Sequence, residues 1–189
     1  METHAYSSDV AFSPSIKAVQ ARKGSRQAYG RMEERGSWPT RITPDLAAFI
    51  EAQTSVFLAT ASAEGQPYIQ HRGGPAGFLR ALDARTIGFV DFSGNRQFIT
   101  QGNLAENPKA HLFLMDYAQR RRIKLWGEAR VVEGDTEQTA RSTFRNVSRC
   151  PMWPPRWRIA TRASRRWKRR SNVCARRQVR LRLFPRGPV

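Results

Sequence analysis

Between Arg121 and Glu133 the chain reads RRIKLWGEARVVE, and its small and apolar positions recur at every second residue. Ile123, Leu125, Gly127, Ala129 and Val131 fall on one side; Arg122, Lys124, Trp126, Glu128 and Arg130 fall on the other. A two-residue period belongs to a strand with one buried and one solvated face, so this stretch demands strand partners. Several stand upstream. Ser55 to Ala61 (SVFLATA) and Pro67 to Arg72 (PYIQHR) flank the turn Ala63-Glu64-Gly65-Gln66. Thr86 to Phe92 and the apolar run Ala110 to Tyr117 (AHLFLMDY) supply two more. Five or so strands joined mainly by hairpins predict a mainly β protein. The expected architecture is a small antiparallel split β-barrel with a few flanking helices.

The helices follow from caps and breakers. Thr43-Pro44-Asp45 gives a hydroxyl N-cap, a proline at the first helical position and an acid in the first turn, with Leu46, Phe49 and Ile50 on one face. Ser15 to about Arg35 reads as one exposed helix, ended by Gly36-Ser37-Trp38-Pro39, and the first dozen residues read as loose. Ser93 is expected to cap a helix that runs to about Glu106 and stops at Asn107-Pro108. The expected divisions are an N-terminal segment 1–42, a barrel domain 43–134 and an arginine-rich segment 135–189.

Composition excludes more than it assigns. No run approaches the roughly 18 apolar residues of a membrane span. The N-terminus lacks the pattern of a secretory signal, so the expected location is the cytoplasm. Cys150 and Cys174 form no closely spaced pair, which argues against a disulfide framework or zinc site. No G-x-G-x-x-G or Walker-type loop is present. The net charge of +18 is uneven: from Asp135 onward there are 16 Lys+Arg against 2 Asp+Glu, leaving 17 against 13 before it.

Four stretches, in this order, resemble the pyridoxamine 5'-phosphate oxidase-like family of FMN-binding split barrels. They are VFLATASAEGQPYIQHR, FVDFSGNRQF, NLAENPKAHLFLMD and RRRIKLWGEARVV, spanning about Leu46 to Glu133. The resemblance implies a homodimer with FMN in a cleft between subunits and flavin-mediated redox of a small-molecule substrate. It places cofactor contacts on His71 and Arg72, on Asp91, Phe92, Ser93, Asn95, Arg96 and Gln97, and on Arg122 and Lys124. An Arg-Lys pair holds the phosphate in the family; here it reads Arg96-Gln97, and Arg72 is a candidate replacement for the lost charge. On the residues alone, Ser93-Gly94-Asn95 reads more readily as a capped turn with Arg96 a solvated first-turn residue. No acid–base catalyst is assigned, His71 being the nearest candidate. A flavin or haem carrier without turnover is the alternative within the same fold, and a deazaflavin the alternative cofactor.

The last 55 residues do not follow the pattern. The family would finish with a helix and a further strand that completes the barrel, and neither is recognisable in RCPMWPPRWRIATRASRRWKRRSNVCARRQVRLRLFPRGPV. Three readings stay open: a nucleic-acid-binding arm of arginines with interleaved tryptophans, a membrane-surface segment, or translation of a GC-rich gene out of frame. A missing final strand would leave one edge of the barrel open.

Overall fold

The structure, a computed structural model, describes residues 6–91, 95–132 and 177–183. Two helices, α1 (Pro14–Arg22) and α2 (Arg26–Glu34), lead into α3 (Pro44–Ala52). The strands are β1 (Ser55–Ala61), β2 (Pro67–Gly73), β3 (Leu79–Ala81), β4 (Thr86–Asp91), β5 (Lys109–Asp116), β6 (Arg121–Val132) and β7 (Arg177–Leu183), with α4 (Ile99–Glu106) between β4 and β5. All seven join one antiparallel sheet in the order β2-β1-β5-β6-β7-β4-β3. Among the described residues it curls without a β2–β3 ladder, which is the open seam of a split barrel, as the hairpin pattern predicted.

The alternation read from the sequence is what fills the barrel. Val56 and Leu58 of β1, Leu112 and Leu114 of β5, Leu125 and Ala129 of β6, and Ile87 and Phe89 of β4 are all buried on the concave side. α3 starts as its cap predicts, Thr43 Oγ1 accepting from the Leu46 amide at 3.3 Å, and it buries Phe49 and Ile50 on the same core.

Three expectations are corrected. The single helix over Ser15–Arg35 is two, because Gly24 takes a left-handed φ of +79° that ends α1. The residues from Tyr6 are anchored rather than loose: Ser7 Oγ donates to the Trp38 carbonyl at 2.6 Å, and buried Ser8 donates its hydroxyl to Glu33 at 3.0 Å. The last correction concerns the closing strand. β7 lies between β6 and β4 and pairs with both, Gly127↔Leu183 to Val132↔Gln178 on one side and Thr86↔Arg182 to Asp91↔Arg177 on the other. Val179, Leu181 and Leu183 are buried while Arg182 is exposed, so the barrel edge expected to be open is occupied. The rest of the arginine-rich segment, and with it both cysteines, lies outside the described residues.

Candidate functional site

The candidate site lies where β4 ends. Asp91, last residue of β4 and on the same side as Ile87 and Phe89, points into the barrel and is 9% exposed. Arg72, near the end of β2, points the same way as Gln70 and Tyr68. Its Nε stands 3.0 Å from Asp91 Oδ1, the two side chains being 16% and 10% exposed. Since β2 is one edge of the sheet and β4 lies next to the other, this ion pair bridges the seam. Around it, Arg72 Nη2 donates to Thr100 Oγ1 of α4 at 3.5 Å, and Thr100 donates to Gln70 Oε1 at 3.2 Å. Asn103 of α4 donates to Thr60 of β1 at 3.1 Å. A polar seam thus fixes α4 and the end of β4 to the first hairpin.

The corner that follows is not the helix start expected at Ser93. Arg96 and Phe98 have φ of 62° and 58°, a conformation that a right-handed helix cannot contain, and α4 begins only at Ile99. Asn95 Oδ1 accepts the Gln97 amide at 3.3 Å, a local turn that competes with helical bonding. Asn95, Arg96 and Gln97 are all exposed, as is Phe98 at 45%. Phe92 and Ser93 lie outside the described residues.

The remaining sequence-predicted residues divide between the two faces of the sheet. His71 is the immediate neighbour of Arg72, so the pleat turns it outward, where it is exposed and its ring meets Phe57 edge-on at 5.4 Å. The register His71↔Phe57↔Phe113↔Lys124 sets His71 and Lys124 in one outward row, with β1 and β5 between them. Arg122 is two residues away on the same face of β6, exposed like Lys124. The structure therefore brings Arg72 to Asp91, so that the Arg72 guanidinium has a carboxylate partner. Arg96 is the cation that the corner turns to solvent.

Sequence reasoning missed three contributors. Gln70 shares the parity of Arg72 and was legible as its neighbour; Thr100 carries no signal of its own. His111 alternates with the buried Ala110 and Leu112 and stacks on Trp126 at 4.6 Å, which in turn stacks on Trp38 at 5.1 Å. Burial, and then the nearby Lys124 charge, pushes the His111 imidazole below its ordinary range. Among the described residues no three His, Cys, Asp or Glu side chains converge as a metal site.

HupZ of Group A Streptococcus superposes with a TM-score of 0.50 at 18% identity, covering 76% of this chain and 90% of its own. An FMN-binding, pyridoxamine 5'-phosphate oxidase-related protein of Nostoc punctiforme gives 0.42 at 14%, covering 73% and 74%. The haem storage protein HutZ of Vibrio cholerae gives 0.41 at 16%, covering 77% and 92%. At its identity HupZ attests the fold alone. No protein of curated function matches the sequence. The sequence model of the family described as pyridoxamine 5'-phosphate oxidase matches residues 42–175, more than half the chain, and this protein belongs to that family.

Proposed function

We propose that the chain is a homodimeric, FMN-dependent oxidoreductase acting on a small substrate, with the flavin phosphate held at the corner after β4. The observation that carries this is the exposed Arg96 in a left-handed conformation, flanked by Asn95 and Gln97 and following an Asp91 locked to Arg72. Each non-glycine residue held in that region costs about 1–3 kcal/mol, and such strain gathers at ligand clamps. A phosphate dianion suits the group: a guanidinium with amide side chains on either side offers a fixed charge and several donors.

The residues divide the work. Arg96 holds the anion, and Asn95 and Gln97 donate to it. Asp91 and Arg72 hold the start of the corner still, so that the cation is presented in one place. His71 on β2, and Lys124 and Arg122 on β6 with β1 and β5 between the two strands, offer donors on the outward face that a second copy would bring to the first copy's corner. Ile69, 63% exposed on the edge strand β2, with exposed Phe98 and Ile99, leaves apolar surface for such a partner. Bound FMN would accept a hydride or electrons from a reductant and pass them on. Lys124 and Arg122 supply positive charge for the electronegative end of a flavin ring or for an anionic substrate. Among the described residues no helix is long and apolar enough to cross a membrane.

The purified full-length protein should therefore carry, or take up, FMN with a flavin absorption spectrum. Under anaerobic conditions a reduced nicotinamide donor should bleach that spectrum, and admitting oxygen should restore it. A flavin spectrum indifferent to every donor would leave a carrier and remove the oxidoreductase. A haem spectrum in place of a flavin one would remove FMN.

A further inference from the structure

At the opposite end of β4 from this corner, about 17 Å away along the strand, lies a cleft of about 780 Å³ on the outward face of the sheet. Arg41, Arg85, Arg130, Arg180 and Arg182 line it, against the carboxylates of Asp83 and Glu128. Guanidinium groups therefore outnumber carboxylates in the lining, and the cleft is net positive. The strand registers make this concentration explicit. Thr86, Arg182 and Glu128 form one cross-strand row, and Gly88, Arg180 and Arg130 the next. Arg130 and Arg180 are thus direct cross-strand partners, which sets two guanidinium-bearing residues side by side on this face. Of the two carboxylates, Glu128 stands opposite Arg182, and Asp83 accepts the Arg85 amide at 2.7 Å.

The rest of the chain is itself net basic. Residues 133–176 and 184–189 together carry 13 Lys+Arg against 3 Asp+Glu. The neutral wall is Leu82, Ala84, Pro108 and Ala129, and among the described residues no aromatic ring on which a base would stack lines it. Arg41, Arg130 and Arg182 are exposed rather than drawn around a single buried point. Same-face residues along β6 and β7 recur at about 7 Å, so the charges form an extended array. We infer that this cleft is a docking surface for the phosphate backbone of a nucleic-acid duplex, bound without regard to base sequence and separate from the flavin corner. Arginine forks match phosphate oxygens in pairs, and each phosphate neutralised releases condensed counterions.

The test is fluorescence anisotropy of the intact chain with a labelled mixed-sequence DNA duplex of about 20 base pairs, titrated across a potassium chloride series. The double variant Arg130→Gln/Arg182→Gln should bind at least about tenfold more weakly at low salt. Its slope of log affinity against log salt should be shallower by about two, near 0.9 for each phosphate that is no longer neutralised. Should that variant unfold, Arg41→Gln/Arg85→Gln, from the loops, should show the same change of slope with the sheet untouched. An unchanged slope in a folded variant overturns the inference and places duplex binding elsewhere in the basic chain. It is overturned equally if inorganic phosphate displaces the duplex better than chloride at equal ionic strength, which would mean a small-anion site. Loss of binding to phosphatidylserine vesicles with duplex binding intact would overturn it in favour of a lipid surface. None of these outcomes depends on whether FMN binds.

Discussion

Arg72→Leu alone is expected to lower the free energy of unfolding by about 3–5 kcal/mol, and Asp91→Leu by a similar amount. For a chain of this length that is a fall in melting temperature on the order of 10 °C. The reason is where the pair sits. With side chains 16% and 10% exposed, both charges have left most of their water, and each is compensated by the other across the barrel seam. Removing one strands its partner in a poorly solvated site, which is worse than never having had the charge. The double variant Arg72→Leu/Asp91→Leu is therefore predicted to recover most of the loss, since two apolar side chains fill the seam without a desolvated ion. A double-mutant cycle by urea denaturation reads this directly. Single losses under about 1 kcal/mol would describe a solvated surface pair, and the seam would need another clamp. The cycle also bears on function, because the same pair fixes the residue from which the corner at 95–97 departs.

Gly127→Ala is expected to be as damaging, by about 3 kcal/mol or more, at the upper end of what overpacking costs. A Cβ at this position would run into the Arg182 carbonyl oxygen and lie 2.8 Å from its carbon, with Leu181 Cδ1 at 3.2 Å. Backbone cannot swing aside as a side-chain tip can, so β6 and β7 must part where Gly127 opposes Leu183. Hydrogen exchange should show it locally. The Leu183 amide, which donates to the Arg85 carbonyl at 2.8 Å, should lose protection before β1 and β5 do. A neutral Gly127→Ala would mean that β7 does not lie against β6 and that this edge of the barrel is open after all.

These two variants also mark what the sequence revealed and what it hid. The first hairpin and the long strand were legible because their apolar positions alternate without interruption, and α3 because its cap residues stand in order. β7 was overlooked although RQVRLRL alternates just as strictly, Val179, Leu181 and Leu183 against Arg180 and Arg182. The arginines that surround it gave the whole segment the look of a tail, and composition masked a period. The start of α4 was misplaced because Ser93 has the chemistry of a cap. What decides the boundary is a pair of left-handed residues, Arg96 and Phe98, whose identities do not announce that conformation.

The site was half legible. Neighbouring residues on a strand face opposite ways, so His71 and Arg72 were never able to serve one ligand from one face, and period two alone would have separated them. The pairing of Arg72 with Asp91 was beyond reach. It joins the first strand of the sheet order to the last but one, and only the curl of the barrel brings them together. Likewise, Trp126 reads as a lone aromatic on a polar face until the N-terminal segment lays Trp38 on it.

Whether the corner after β4 grips a mononucleotide phosphate is decided by equilibrium titration of FMN, followed by quenching of its fluorescence in the full-length protein and in Arg96→Ala. The prediction is saturable binding that weakens roughly 10- to 100-fold in the variant, the cost of one charge-assisted hydrogen bond, with riboflavin, which lacks the phosphate, indifferent to the substitution. Equal affinity of the two proteins for FMN, or no saturable binding by either, would contradict it.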